Sequence, residues 1–562
     1  MKKFLKVGVV AVMSVLALNS CNCFKKVSNK IDTVGVSSSP AILSLKGSTV
    51  DATYTLDIPA KVFAKTAILK ITPVLKYADG EIVGTPKFLQ GEKVSDNYQV
   101  VAWSTPSKVT QSVSFDYIPA AKRSTLFLKV EAMCSKEGTA DTSEEFVALP
   151  DDIFVAEGIS TVQLLADDFA KLAIAPDNFK RITTVTEEAH IMYTINSAVV
   201  RNQALSTEEL ATLQNFIKEN EGAYRRTVSN VTAKAYASPD GPLNFNDELS
   251  VNRGKSTDKA ITSKFKKDDT PYKGLEIDAL GEDWEGFKAL VQASDIDQKD
   301  LILQILAMTS DPQKRDAEIK NLSAVFKVLA EKILPELRRS KLQVNVDIEG
   351  LSDDEIKAKV NGDINSLKLE ELLYSATLFT DNATKAKVYA TATKQFASDF
   401  RGWNNLGVIL AREGEINEAK GSFAKAAQLN SSSNEVINNL GAVALFEGNT
   451  AEAKKYLSSI STSDSKYNMG LVNLQEGNYD AAVKVLNGYN LAVAEFCNGN
   501  ISQAKSILSK EDSASASYLK AIIAAREGNQ SGVTSNLEDA IAKDSSFEAK
   551  AKEEVEFINF EI

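Results

Sequence analysis

Between Trp403 and Leu486 the chain repeats itself, and a repeat of this length leaves few folds open. Trp403, Leu406 and Leu410 recur at helical spacing, and after Gly414 a second helical run carries Ala419, Phe423, Ala426 and Ala427. Leu406-Gly407, Gly414, Ala419 and Phe423 return 34 residues later as Leu440-Gly441, Gly448, Ala453 and Leu457. They return again as Gly470, Gly477, Ala482 and Leu486, then more weakly as Gly499, Ala504 and Leu508 and as Gly528, Val533 and Leu537. One helix pair cannot bury its apolar face alone, so pairs stacked at this period predict an α-solenoid over residues 351–562. Gly407 and Ala419 put almost no side chain where two helices cross. Trp403, Leu406, Gly407, Ala419, Phe423, Leu440, Gly441 and Ala453 are therefore read as scaffold positions that define the repeat, not as ligand contacts.

The order of aromatic, Leu-Gly, Ala, Phe and Ala resembles the tetratricopeptide (TPR) repeat family. Ser431 stands where that family usually has proline, and the later repeats shorten to 29 and 22 residues. The resemblance implies helix pairs that bind protein segments. Leu369–Phe396 reads as a first, imperfect repeat, and Leu351–Glu355 as the N-cap that starts the helical half.

Composition removes several functions. A net charge of −11 speaks against a nucleic-acid surface. His190 is the single histidine, which leaves little room for a His-based metal site or a Ser-His-Asp triad. No pair of carboxylates is singled out by spacing, so no catalytic residue, metal or cofactor is assigned and the chain is not read as an enzyme. Cys134 and Cys497 lie far apart and are expected as separate buried thiols.

Residues 1–20 carry Lys2, Lys3 and Lys6, then an apolar run from Val7 to Leu18, which is short for a membrane span and has the form of an export signal. The run ends in Leu18-Asn19-Ser20-Cys21, which resembles the bacterial lipoprotein signal. That resemblance implies acylation of Cys21 and a stable membrane anchor; the alternative is a plain cleaved signal. Residues 21–41 then form the anchor and linker. No acid follows the cysteine in Asn22–Lys26, which points to the periplasmic face of an outer membrane.

Residues 42–175 read as a β-sandwich from alternating or β-branched runs at Thr49–Ile58, Ala67–Tyr77 and Ser124–Met133, with turns at Ala78-Asp79-Gly80 and Pro119. From Ala189 the order becomes strand (Ala189–Asn196), helix, strand (Val228–Ala237), helix (Asn246–Phe265) and, after an insertion over 274–334, strand (Lys341–Ile348). Ser206 and Glu209 predict a capping box on the first helix. Gly241, Asn246, Leu249, Ser250 and Arg253 follow the pattern G-x4-N-x2-L-S-x2-R. With the βαβαβ order, they resemble the OmpA-like domain over residues 180–350.

That family resemblance implies peptidoglycan binding, an arginine and a carboxylate together holding the charged end of the stem peptide. Arg253 takes the arginine position. Ser238 stands where the family has its acid, with Asp240 close by, and Asn246 completes the candidate set. A retained fold with its pocket lost, Arg253 serving as an ion-pair partner, stays open. Thr33 and Ser513 lie in tripeptides that resemble a bacterial O-glycosylation acceptor. The expectation is a lipid-anchored envelope scaffold with a protein partner on its repeats and a cell-wall contact on its central domain. The alternative is a wall-tethering lipoprotein whose repeats are structural or oligomerising.

Overall fold

Thr49–Ile58 sends Val50, Ala52, Tyr54, Leu56 and Ile58 inward and its other side chains outward, the alternation of a sheet with one face on a core. The computed structural model describes residues 26–134, 145–166, 170–297, 299–308, 311–321 and 323–562. Thr49–Ile58 pairs with Gly35–Ser39, Leu43–Lys46 and Ser107–Asp116, all antiparallel. A second sheet is built on Ala67–Tyr77, a strand buried almost throughout, between Thr125–Cys134 and Lys87–Gly91. The inner faces share one core that includes Tyr54, Leu69, Ile71, Leu126 and Leu128. Ala78-Asp79 closes the hairpin between Tyr77 and Gly80, and Pro119 opens a short 3-10 turn, both where the sequence places turns. Cys134 departs from expectation: it is disulfide-bonded, while Cys497 is a free thiol. Separation along the chain carries no information about pairing.

The described residues divide into two compact units, one reaching to Pro176 and including Asn382–Ile562, the other Asp177–Asp381. The second unit is an α/β domain. Its strands are β1 (Ile182–Met192), β2 (Arg226–Val228), β3 (Val231–Ala237), β4 (Leu275–Glu282) and β5 (Arg339–Glu349). The sheet order is β1-β5-β3-β4, with β2 also on β5. Helix α1 (Glu208–Asn220) follows β1, and α2 (Leu243–Lys267) makes the crossover between the parallel strands β3 and β4. Strand β4 falls inside the stretch read from sequence as helical insertion. It is a sheet edge whose apolar alternation is short: Leu275 and Ile277 are half-buried between exposed Glu276 and Asp278, and Ala279 and Leu280 are both exposed. The helices that follow, within Trp284–Lys332, bury Phe287, Val291, Ile302, Leu306 and Leu329 together.

The cap of α1 also differs from expectation. Thr207, not Ser206, accepts from the Leu210 N–H at 3.3 Å, because the Ser206 hydroxyl is turned back to the Asn202 carbonyl. Ser352 and Glu355 form the reciprocal capping box at 3.3 and 2.8 Å. The short helix Leu369–Ser375 belongs to this α/β unit, and Asn382–Gln395 to the other.

Five helix pairs follow: α3 (Phe400–Arg412) with α4 (Ile416–Leu429), α5 (Asn434–Phe446) with α6 (Thr450–Leu457), α7 (Ser463–Gln475) with α8 (Tyr479–Ala482), α9 (Gly488–Cys497) with α10 (Ile501–Leu508), and α11 (Ala514–Arg526) with α12 (Gln530–Lys543). Gly414, Gly448, Gly477, Gly499 and Gly528 all sit at the turn inside a pair with φ between 69° and 84°, a left-handed conformation that side chains disfavour. A Cβ on Gly407 would lie 2.7 Å from the Phe423 ring, and one on Gly441 2.7 Å from Leu457. The glycines recur because helices within a pair touch there. The strand-rich region packs on the same array. The Tyr479 hydroxyl donates to Gln163 Oε1 at 2.8 Å, Gln163 bonds both N–H and C=O of Gly47, and Lys122 meets the buried Glu554 at 3.4 Å.

Candidate functional site

Helices α3, α5 and α7 carry an asparagine two residues before the contact glycine: Asn405 before Gly407, Asn439 before Gly441, Asn468 before Gly470. Asn404 and Asn438 precede the first two. All five are buried, none more than 1% exposed. A carboxamide has two donors and an acceptor with two lone pairs, and burying it without partners costs free energy. Here the partners are main chain.

The segment Ala170–Pro176, which takes in the last residues of the 42–175 range read from sequence as sandwich, has no regular secondary structure. It crosses the first helices of three successive pairs. Lys171, Ala173 and Ala175 each donate their N–H to one asparagine Oδ1, those of Asn468, Asn439 and Asn405, all at 2.7 Å. The same three asparagines donate back to the carbonyls of Lys171, Ala173 and Ala175 at 2.9, 2.8 and 3.0 Å. Asn438 adds a bond to the Lys171 carbonyl at 2.7 Å and Asn404 one to the Ala173 carbonyl at 3.0 Å. Alternate residues are thus grasped as a neighbouring strand would grasp them, eight bonds in all.

The amides are also linked to each other. Asn439 donates to Asn404 at 2.9 Å and Asn468 to Asn438 at 3.0 Å. Ala175 lies at the first pair and Lys171 at the third, so the segment runs opposite to the array.

Side chains contribute less to this grip. Lys171 Nζ stands 4.2 Å over the Tyr467 ring, Leu172 packs on the array core, and Ile174 is 39% exposed. Ala175 is buried, 1% exposed. On the fourth pair the equivalent residue is Asn490, which donates to the Tyr467 hydroxyl at 3.0 Å. The fifth pair has Leu519 at this register, so the ladder ends. Each such bond is worth about 1 kcal/mol net, while ordering costs about 1–2 kcal/mol per residue fixed.

The second polar cluster lies in the α/β unit, where the sequence places Ser238, Asp240, Asn246 and Arg253. Three of them join one network. The Ser238 hydroxyl donates to Asp240 Oδ1 at 2.6 Å, and Asn246 Nδ2 donates to the Ser238 carbonyl at 3.2 Å and to Glu282 at 2.8 Å. The Asp240 carboxylate is paired with Arg338 at 3.1 Å, both side chains largely buried. Arg253 points elsewhere and is 1% exposed. Its guanidinium donates to the carbonyls of Ser197, Tyr236 and Thr194 at 3.0, 2.7 and 3.2 Å, and lies 4.9 Å from the Tyr193 ring centre. Burial pulls its pKa down to about 10, a fall that Asp240 opposes and Arg338 reinforces.

Among the repeat-defining residues, Ala419, Phe423 and Ala453 are fully buried, Leu440 packs beside Phe423, and Trp403 is half-buried with its Nε1 on the Ala397 carbonyl at 3.1 Å. Leu406 is half-buried. Cys21 lies outside the described residues. Thr33 and Ser513 are exposed, the first bonded to the Lys30 carbonyl and the second capping α11. His190 contacts Glu209 at 3.0 Å. Among the described residues no cluster of metal-ligating side chains is present, and no helix is long and apolar enough to cross a membrane.

Residues 400–433 match the tetratricopeptide repeat family. No curated protein matches the chain. Among solved structures, the Cut9 and Hcn1 hetero-tetramer of the APC/C is similar at 14% identity and a TM-score of 0.31, over 34% of this chain and 44% of that one. A tetratricopeptide repeat protein from Parabacteroides merdae is similar at 14% identity and 0.29, over 37% of this chain and 91% of the other. YrrB, whose structure is described as a TPR protein with an unusual peptide-binding site, is similar at 17% and 0.21, over 35% and 99%. This chain therefore spans under half the length of the first of these. At such scores the neighbours add nothing to the helix pairs themselves, and it is the pairs and the family match that make the C-terminal half a TPR-type array.

Proposed function

We propose that this chain is a lipid-anchored envelope scaffold whose repeat array binds a protein partner. Acylation of Cys21 holds it on the periplasmic face of the outer membrane, and the α/β unit is of the OmpA-like type. The observation that carries the binding role is the asparagine ladder, since a face that grips an extended chain through its main chain is built for polypeptide. The order of the anchor signal, the strand-rich region, the α/β unit and the array supports a binding protein rather than an enzyme.

The test is in the cell. Cys21→Ala is expected to move the protein out of the membrane fraction; unchanged fractionation would remove the anchor. A photo-crosslinking residue at the exposed Lys425 of α4 is expected to give discrete adducts with envelope proteins, and none at the exposed Tyr224 of the α/β unit. Adducts with the chain itself alone would overturn the scaffold role.

The sheet order β1-β5-β3-β4 favours a second reading, a wall-tethering lipoprotein. Arg253 is committed to carbonyls, so this reading leans on Asp240 and Arg338, an ion pair whose charges both act on it. Sedimentation of the full chain with purified sacculi, lost in Asp240→Asn, is the result it requires.

A further inference from the structure

The eight bonds of the ladder reach only main-chain atoms, so the face reads backbone and not sequence. What it asks of side chains is modest: an alanine-sized residue where Ala175 is buried, a tolerance of most residues where Ile174 is exposed, and a cation over Tyr467. Any extended segment meeting those conditions satisfies the same asparagines. The resident segment meets them while tethered at both ends, as an intramolecular ligand at an effective concentration of about millimolar. A foreign peptide of equal intrinsic affinity, present at micromolar concentration, is then outcompeted roughly a thousandfold.

We propose that the ladder face is a backbone-reading peptide site whose resident ligand is this chain's own Ala170–Pro176, and that it admits a foreign extended peptide when that segment leaves. This rests on the array being a protein-binding module, and it adds what is bound, in which direction, and what keeps the site closed. The foreign ligand is an uncharged or basic extended segment with small residues at alternate positions, lying antiparallel to the array.

The probe is a fluorescent peptide of sequence Ala-Lys-Leu-Ala-Ile-Ala-Pro, added to the intact chain and to the Ala173→Pro/Ala175→Pro variant, which lacks two of the three donated N–H groups. The expected result is at least about 100-fold tighter binding to the variant, abolished by adding Asn405→Leu and Asn439→Leu. Equal binding to both chains, or no binding to a folded variant, overturns the proposal.

Amide exchange on the unaltered chain decides independently of how the variant folds. The Ala173 and Ala175 amides are expected to exchange at least about tenfold faster than those of Val408 and Val443, by local release. Exchange of all four only on global unfolding makes the segment a fixed part of the core and overturns the exchange. Partner adducts from Lys425 together with a failed peptide test leave the scaffold standing and remove this site. A successful peptide test without such adducts does the reverse.

Discussion

Two clusters of buried polar side chains answer the same physical demand in opposite ways. In the α/β unit a single guanidinium, Arg253, is closed in by three carbonyls of its own domain, from Thr194, Ser197 and Tyr236. In the repeat array five neutral carboxamides are spread along three helices and closed in by a segment remote in sequence, Lys171 to Ala175. Both satisfy what burial would otherwise penalise. The first set of partners is fixed by the sheet and loops around it and cannot leave without breaking the domain. The second is supplied by a segment without regular secondary structure, remote in sequence from the helices it crosses. A buried polar group therefore marks a site only when its partner is separable from the fold that holds it, and by that criterion the ladder is the stronger candidate.

The largest expected effect tests the fixed cluster. Arg253→Ala leaves three carbonyls without their donor and should cost about 3 kcal/mol or more in urea unfolding of the 177–381 unit. A loss under about 1 kcal/mol would show that the guanidinium is not structural, and the contrast would fail.

Next comes the ladder. Asn439→Ala removes the donor and acceptor that hold Ala173 and should cost about 2 kcal/mol in the array, leaving the other unit's transition unmoved.

The smallest effect is on acidity. The ladder is neutral and should grip alike from pH 4 to 9. In the α/β unit Arg225, hydrogen-bonded to Glu355, holds that carboxylate down to about 2 from an ordinary 4.5. A depressed carboxylate stabilises the fold above its unfolded pKa, and that contribution is lost as pH falls from about 4.5 towards 2. The pair is at the surface, so the effect is small. Glu355→Gln should flatten that acid limb in a thermal scan, while the protection of the Ala173 amide, its exchange rate relative to the intrinsic rate at each pH, stays constant across it.

The repeat half was legible because its signals are local and periodic: the glycine at each turn needs a left-handed φ, and the glycine at each crossing needs absent volume, as Gly407 does against Phe423. The ladder was within sight of the same pattern. Asn405, Asn439, Asn468 and Asn490 recur at the repeat's own register, polar residues on otherwise apolar helix faces. The first three carry no local sign of a site, because the segment they hold is 230 to 297 residues away and has no motif of its own. Strand β4 is hard to see because its alternation covers only Leu275 to Asp278, and the bonding of Cys134 has no local signal. At the α/β cluster the sequence placed Ser238, Asp240 and Asn246 together, but nothing in a one-dimensional pattern says that the Arg253 guanidinium turns away from them to carbonyls.

The ladder holds Ala173 through its main chain. A double-mutant cycle between Asn439→Ala and Ala173→Pro, read as array stability in urea, tests it most directly. The asparagine and the amide are removed singly and together, so effects private to either change cancel. A coupling of about 1 kcal/mol or more is expected, the second change costing little once the first is made. Additivity within about 0.5 kcal/mol would mean that the two groups do not hold each other, and the peptide-gripping face would have to be given up.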